Sequence, residues 1–368
     1  MKVLIGVCGI GLGHSTRQWE VAQELLRRGH EIRILTFGKG IEFFRNTPLP
    51  WSEVWVPFVG YRKGKLHLPS LIIKNFTSIL PGIYRNLGVY QQLIKEDFFP
   101  DICISDYEPV TARIAYKFQK PLVLIDQQSK FWRFSFDDIQ QFSCIEEKKR
   151  LSLFFPQYEK RFITSFYRLP NIEDRDTTVI PPIIRSDLRS SSCRYLKKPN
   201  LHLIVYLSEY GGKGIDQSPI QWKKELASVP NVSFTIFDPK LEKTRIEGNL
   251  EERPFDRVDF AEMLKIADGV ITTAGHTLLS EALYLGIPIY VLPLPTFDQH
   301  YCAKFISEHR LGISSYTITR EECLMFIEQL DYWKHNIQTC DQILFSSDPT
   351  QTIVDYLEEQ HEKTCSEC

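Results

Sequence analysis

Two glycine-histidine segments hold most of the residues in this chain whose types and spacing could do chemistry. The first, Gly9-Ile10-Gly11-Leu12-Gly13-His14, follows an apolar run at 3–7; the second, Thr273-Ala274-Gly275-His276-Thr277, follows Val270-Ile271 and leads on to Glu281, Asp298 and Gln299. Each lies between a β-type run and a helix-type pattern. That is the place where loop amides and a helix N-terminus face a ligand at the carboxyl edge of a parallel sheet.

The second segment is the easier to read. Open amides at the start of the helix after Gly275 suit a phosphate, and glycine permits close approach. Glu281 comes four residues after Thr277, on the same helix face and one turn deeper. Its carboxylate can accept from both hydroxyls of a ribose attached to that phosphate. Asp298 beside Gln299 joins a strong acceptor to a group that both donates and accepts, which suits the vicinal hydroxyls of a hexose. The loop Ser208-Glu209-Tyr210-Gly211-Gly212-Lys213-Gly214 can approach a diphosphate from the other side. Each alone is a weak signal, since a glycine-rich turn is as often structural and an Asp-Gln pair in a loop is usually just solvated. Their order and spacing together carry the reading.

The elements that must position these residues alternate. β-Type runs at 2–8, 31–36, 52–57, 102–105 and 122–125, then at 201–207, 232–237, 269–272 and 288–292, are separated mostly by helix-type patterns. This is the signature of parallel sheets covered on both faces, an α/β class. Ser15-Thr16-Arg17-Gln18 reads as a capping box opening a helix that ends at Gly29. Residues 61–100 and 130–170 read as long, aromatic, poorly periodic insertions near a sheet edge. Such segments more often shape a binding site than build a core, so the variable substrate is expected there, on Tyr61, His67, Phe131 and Trp132.

A chain of 368 residues, 43% hydrophobic and 24% charged, exceeds what one core usually serves. The expected division is 1–183, a linker at 184–199 through the polar run Ser190-Ser191-Ser192, and 200–347, with a final helix at about 349–361 able to pack back on the first domain. No signal peptide is expected at the N-terminus. The longest nearly apolar stretch, 286–295, contains three prolines and is about half the length needed to cross a bilayer. Nine scattered cysteines suggest a reducing cytoplasm, with Cys365 and Cys368 as incidental thiols.

Charge is unevenly distributed. Residues 1–183 carry 25 Lys+Arg against 19 Asp+Glu, and the remainder 19 against 27. A basic, aromatic first half could meet an anionic acceptor, or make weak peripheral contact with the inner face of a membrane. Because Arg62, Lys63, Lys65 and Lys74 are interleaved with turn residues, ordinary solvated surface is the first reading of them. No nucleic-acid partner is expected.

With these motifs in view, the chain resembles the GT-B glycosyltransferases, especially the sugar-nucleotide-dependent family 1 enzymes and the bacterial N-acetylglucosaminyl transferase of peptidoglycan lipid synthesis. The resemblance implies a GT-B fold, two Rossmann-like doubly wound domains facing across a cleft, the first binding acceptor and the second donor. It implies that Ala274, Gly275, His276 and Thr277 with Gly13, Ser208, Gly211 and Gly212 line the donor diphosphate, that Glu281 holds the ribose, and that Asp298 and Gln299 bind the transferred sugar. Arg253-Pro254-Phe255 falls where such enzymes use backbone groups to read the base. The family's catalytic histidine matches His14 and its orienting acid Asp106. In that role the imidazole takes the proton of an attacking hydroxyl, and the acid holds the ring in one tautomer. Against the plant-type signature His-Cys-Gly-Trp-Asn-Ser this chain has Thr273-Ala274-Gly275-His276-Thr277-Leu278, so part of the side-chain contact with phosphate is absent.

The implied activity is inverting, metal-independent transfer of a hexose-type sugar from a nucleotide diphosphate, UDP first, to a hydroxyl of a small-molecule or lipid acceptor. The nucleotide sugar is a co-substrate, and no resident cofactor is expected. A sugar-nucleotide 2-epimerase and a non-catalytic nucleotide-sugar-binding protein share the architecture. A nicotinamide-dependent oxidoreductase is disfavoured, because Leu35-Thr36-Phe37 offers no acid at the tip of the second strand.

Overall fold

The computed structural model describes residues 1–57, 61–62, 65–66, 73–139, 143–170, 175–189, 200–208, 214–345 and 348–366. Two compact units emerge, Met1–Ile183 with Leu344–Cys368, and Ile184–Ile343.

The first unit runs β1 (Lys2–Val7), α1 (Leu12–Arg27), β2 (Glu31–Thr36), α2 (Lys39–Arg45), β3 (Trp51–Glu53), the small pair β4 (Tyr61–Arg62) and β5 (Lys65–Leu66), and α3 (Ile79–Lys95). It continues with β6 (Ile102–Asp106), α4 (Pro109–Phe118), β7 (Leu122–Asp126), α5 (Lys130–Arg133), α6 (Cys144–Phe154), β8 (Lys160–Thr164) and β9 (Thr177–Ile180). Its main sheet has the order β3-β2-β1-β6-β7-β8-β9, all parallel. Along β1, Val3, Ile5 and Val7 pack on one face with Val21, Ala22 and Leu25 of α1, while Leu4 packs on the other with Val110, Ile114 and Ala115 of α4. Period-2 alternation with both sides apolar is what a doubly covered parallel strand requires.

The second unit runs α7 (Ser186–Arg189), β10 (Leu201–Tyr206), α8 (Pro219–Ala227), β11 (Val232–Asp238), β12 (Arg245–Glu247), β13 (Leu250–Pro254), α9 (Arg257–Lys265) and β14 (Gly269–Thr273). Then come α10 (His276–Tyr284), β15 (Ile289–Leu292), α11 (Phe297–Glu308), β16 (Gly312–Ser314), α12 (Arg320–Glu328) and α13 (Leu330–Thr339). Its sheet order is β12-β13-β11-β10-β14-β15-β16, parallel except for the antiparallel edge pair β12-β13. The chain then returns: α14 (Pro349–Ser366) buries Ile353, Val354 and Leu357 in the core of the first unit, beside α1. Each such fully buried aliphatic contributes about 1.5–3 kcal/mol.

The α/β, doubly wound expectation holds, and several local expectations do not. The helix expected at Ser15 starts at Leu12, with Gly11 as a cap lacking any side-chain hydrogen bond and Ser15 buried inside the helix. Residues 61–100 are not an irregular insertion throughout, because α3 occupies 17 of them. Its breakers are tolerated for specific reasons. Pro81 stands in the first turn, where a missing N–H is harmless, and Gly82 lies against Trp55, where a Cβ would come within 2.1 Å of the indole. Residues 130–170 likewise contain α5, α6 and β8. Of the expected linker, Arg185 and Leu188 are buried, and Arg185 donates to Asp187 and to the Arg257 carbonyl, so 184–189 is packed structure of the second unit. Among the described residues no helix is long and apolar enough to cross a membrane.

Candidate active site

In the first sheet the strand order reverses between β1 and β6, and α1 and α4 leave these strands toward opposite faces. A crevice at the carboxyl ends follows from that topology. Gly9 begins the turn out of β1, where its position admits no side chain: a Cβ would lie 1.4 Å from the Phe37 carbonyl oxygen. Lys39 also donates its backbone N–H to the Gly9 carbonyl at 3.0 Å. Gly9→Ala is therefore expected to cost about 1–3 kcal/mol by overpacking, measured by denaturant unfolding; an unchanged midpoint would contradict this close approach.

Because α1 starts early, His14 sits in its first turn and Arg17 and Gln18 follow on the same face. Opposite them is Asp106, the last residue of β6, in register with Val7. His14 Nδ1 lies 2.7 Å from Asp106 Oδ1. Arg17 donates to both carboxylate oxygens, Nη2 to Oδ1 at 2.7 Å and Nε to Oδ2 at 2.9 Å. Gln18 Nε2 adds a bond of 3.0 Å to Oδ2 and one of 3.1 Å to the Ile125 carbonyl, tying the cluster to β7. The Asp106 side chain is 0% exposed and that of His14 15% exposed, so the imidazole is the part of the pair that reaches solvent.

Burial by itself would raise the Asp106 carboxyl, but Arg17 and then His14 outweigh it and hold the group below its ordinary 3.8. An ionised Asp106 has consequences for the ring. Two lone pairs at 2.7 Å would repel, so the proton must sit on Nδ1, directed at Oδ1. Nε2 is then the basic nitrogen. Arg17 Nη2, 3.1 Å from Nδ1, spends its hydrogen on the carboxylate and not on the ring. Arg17 and Asp106 sum to no charge, and a proton gained by His14 brings the cluster to a single positive charge.

Tyr107 follows in the left-handed region, φ 59°. That costs a non-glycine residue about 1–2 kcal/mol. The twist lets three consecutive side chains do different things: Asp106 meets His14, the Tyr107 ring stacks near His14 with centroids 6.3 Å apart, and Glu108 caps α4 by accepting from the Val110 and Thr111 amides at 2.7 and 2.8 Å. Cys8, just past β1, is buried, and burial pushes its thiol up to about 12, away from the thiolate form a nucleophile needs.

The second unit repeats the topology. Its order reverses between β10 and β14, and the loops leaving these strands are tied by a Ser208 Oγ to Thr273 Oγ1 hydrogen bond of 2.6 Å. Thr272 Oγ1 donates to the Tyr206 carbonyl at 2.8 Å, fixing the same strand ends. Gly275 is the N-cap of α10 and makes no side-chain cap, and the first turn holds no acid. The amides of that turn can accordingly serve an anion. Ala274 is fully buried, Thr277 half-buried, and His276 and Glu281 buried. Ser280 Oγ donates to the His276 carbonyl at 2.7 Å.

These paired switch-point sites can be set beside known proteins. The family model for glycosyl transferase family 1 matches residues 1–331. The chain belongs to that family. An uncharacterised glycosyltransferase of Methanosarcina acetivorans is 27% identical, over 100% of both chains. The UDP-N-acetylglucosamine–N-acetylmuramyl-(pentapeptide) pyrophosphoryl-undecaprenol N-acetylglucosamine transferase of Moorella thermoacetica is 24% identical, over 87% of this chain and 86% of its own. Among solved structures, the glycosyltransferase of kitacinnamycin matches with a TM-score of 0.67 at 15% identity, covering 98% of each chain. The fold is GT-B.

In this family 1 glycosyltransferase the other expected residues are placed unevenly. Asp298 and Gln299 lie in the first turn of α11, not in a loop. Gln299 Oε1 accepts from the Leu294 amide at 2.8 Å, so what it can offer a ligand is its NH2 donors. The Arg253 guanidinium is engaged by Glu251 and by both oxygens of Asp259 at 2.9–3.0 Å, so only its backbone remains for a base. Phe255 packs on Tyr206 and Phe260, ring centroids 5.1 and 5.6 Å apart. Phe131 is fully buried and therefore a packing residue without a face for an acceptor, and Trp132 lies over the Arg161 guanidinium at 4.5 Å. His67, Gly211 and Gly212 lie outside the described residues, and Tyr61 is described only as part of β4. Arg17 and Gln18 were missed as site residues, because a capping-box reading turns them outward. The spacing His14-x-x-Arg17 on an earlier-starting helix was the available signal.

Proposed function

We propose that this family 1 glycosyltransferase moves a hexose-type sugar from a nucleoside diphosphate, UDP first, to a hydroxyl of a small-molecule or lipid acceptor, with inversion. The observation that carries the reading is the 2.7 Å contact between His14 Nδ1 and the ionised Asp106, which leaves Nε2 as the acceptor of a proton. The acceptor O–H gives its proton to Nε2 as its oxygen forms the bond to the anomeric carbon. The bond from that carbon to the diphosphate breaks, and the electron pair leaves with the nucleotide. Amides at the start of α10 and the helix dipole meet the growing charge, in place of a metal. Glu281 holds the ribose, and Asp298 with the Gln299 amide holds the sugar. The name of the Moorella relative, a UDP-N-acetylglucosamine transferase, supports UDP as the nucleotide. No resident cofactor enters the scheme.

Thermal-shift measurements with UDP-, dTDP- and GDP-sugars test the donor. One of them at 100 times its dissociation constant should add about 2.7 kcal/mol, and Glu281→Gln should weaken that ligand about tenfold by loss of a charged hydrogen bond. No response to any of the panel would end the reading. Nucleotide released from donor without an acceptor would indicate epimerase chemistry in its place.

A further inference from the structure

A buried carboxylate beside an imidazole ordinarily favours a charged ring. Here a third group alters that balance. Arg17 is 4% exposed, donates to both oxygens of Asp106 at 2.7 and 2.9 Å, and comes within 3.1 Å of His14 Nδ1. The charges of Arg17 and Asp106 cancel, so nothing in the pair asks for a second hydrogen on the ring. Without Arg17 the site would hold a buried negative charge lacking a counter-charge, which such sites relieve by taking up a proton. That proton has two places to sit. On the carboxyl it donates across the 2.7 Å contact to Nδ1, and the hydrogen of the ring moves to Nε2; on the ring it leaves hydrogen on both nitrogens. The two arrangements differ only in where one proton lies between Oδ1 and Nδ1, and both put a hydrogen on Nε2. A nitrogen that already carries hydrogen cannot take one from an acceptor hydroxyl.

The neighbouring charges on the described residues do not stand in for Arg17. Arg150 of α6 lies over the Tyr107 ring, 5.0 Å from its centroid, and is paired with Glu147. Asp126, at the end of β7, can add only negative charge; burial and then the Asp106 charge raise its carboxyl, and Arg161 of β8 acts on it in the other direction. Gln18 gives Asp106 a hydrogen bond without a charge. We infer that Arg17 is a positioning residue for transfer, whose charge keeps Nε2 of His14 bare and so open to the acceptor hydroxyl. The consequence for the rate rests on the proposed function. The position of the proton does not, and the test reads the two separately.

Isotope-labelled histidine in the full chain reports the hydrogens on each imidazole nitrogen through long-range proton–nitrogen correlation spectra at neutral pH, His14 being the signal absent from His14→Ala. Wild type should carry hydrogen on Nδ1 and none on Nε2, and Arg17→Gln should carry it on Nε2. Steady-state kinetics of Arg17→Gln should show kcat reduced about 10²-fold, the low end of what a general base supplies, with donor KM changed less than about twofold. Arg17→Lys keeps the charge while giving up the two-pronged contact, and should keep Nε2 bare with a rate within about tenfold of wild type. Should Arg17→Gln fail to fold, the lysine variant decides, since hydrogen on its Nε2 overturns the proposal. So does hydrogen on Nε2 in wild type, a bare Nε2 in Arg17→Gln, or a folded lysine variant no faster than the glutamine one. A hydrogen that moves to Nε2 in Arg17→Gln while transfer is unchanged overturns the role of Arg17 in transfer together with the proposed function, and leaves the assignment of the proton standing.

Discussion

Replacing His14 by alanine should slow sugar transfer roughly 10²–10⁴-fold, the usual worth of a general base. In free energy that is about 3–5 kcal/mol of lost transition-state stabilisation, and it should appear in kcat with little change in donor affinity. The separation follows from the geometry. His14 belongs to the cluster at the end of β1 and β6, whereas the groups proposed to hold the ribose, the sugar and the leaving diphosphate lie on α10 and α11. Because the His14 side chain is only 15% exposed and bonded to Asp106, a urea melt of the variant is read beside the rate, so that lost activity is separated from lost fold. Steady-state kinetics with donor titration by calorimetry reads both quantities. A rate within about threefold of wild type, less than 1 kcal/mol, would remove His14 from the chemistry. Asp106→Asn offers a finer check, because a neutral amide no longer requires the proton on Nδ1 and frees the ring to adopt the other tautomer.

Asp106→Ala should be the most damaging substitution for stability, about 3–5 kcal/mol, because it strands a buried partner charge. Arg17 is 4% exposed and would lose both of its bonds to the carboxylate. The same interaction predicts a pH dependence. With its folded-state value below the ordinary 3.8, Asp106 adds stability that is complete above that value and is lost as pH falls through it toward the lower folded-state value. Asp126 and Glu108 act in the opposite sense. Burial raises Asp126, with the Asp106 charge adding to the rise, and burial also raises Glu108 against its capping amides. The quantity to measure is therefore the difference between wild type and Asp106→Asn in urea melts from neutral to acid pH. The gap should narrow on acidification. A constant gap would mean that Asp106 is not held ionised by its neighbours.

Local sequence made much of the architecture legible, since glycine turns, β-type runs and helix patterns are short-range signals. It missed β8, because an aromatic, basic stretch hides its short apolar run, and β9, because only Val179 and Ile180 are apolar after the polar run 173–178; it missed α3, because Pro81, Gly82 and Gly88 resemble breakers until Trp55 is seen to demand a small residue at 82. Asp298 and Gln299 were found at nearly the right place but as a loop pair, since Pro293 and Pro295 just before them obscure the start of α11.

The sequence alone determined the α/β class and the two glycine-rich turns, and the family resemblance those turns carry singled out His14 and Asp106 as residues to examine. Tertiary structure decided how they combine. A contact of 2.7 Å between residues 92 positions apart exists because β1 pairs with β6 in the register that sets Val7 beside Asp106. The same register brings Arg17 and Gln18 onto that carboxylate. It also took the packed fold to show which side of α3 is left to solvent. Periodicity reports that a helix has an apolar side, whereas the direction in which that side points is set by what the other elements already cover.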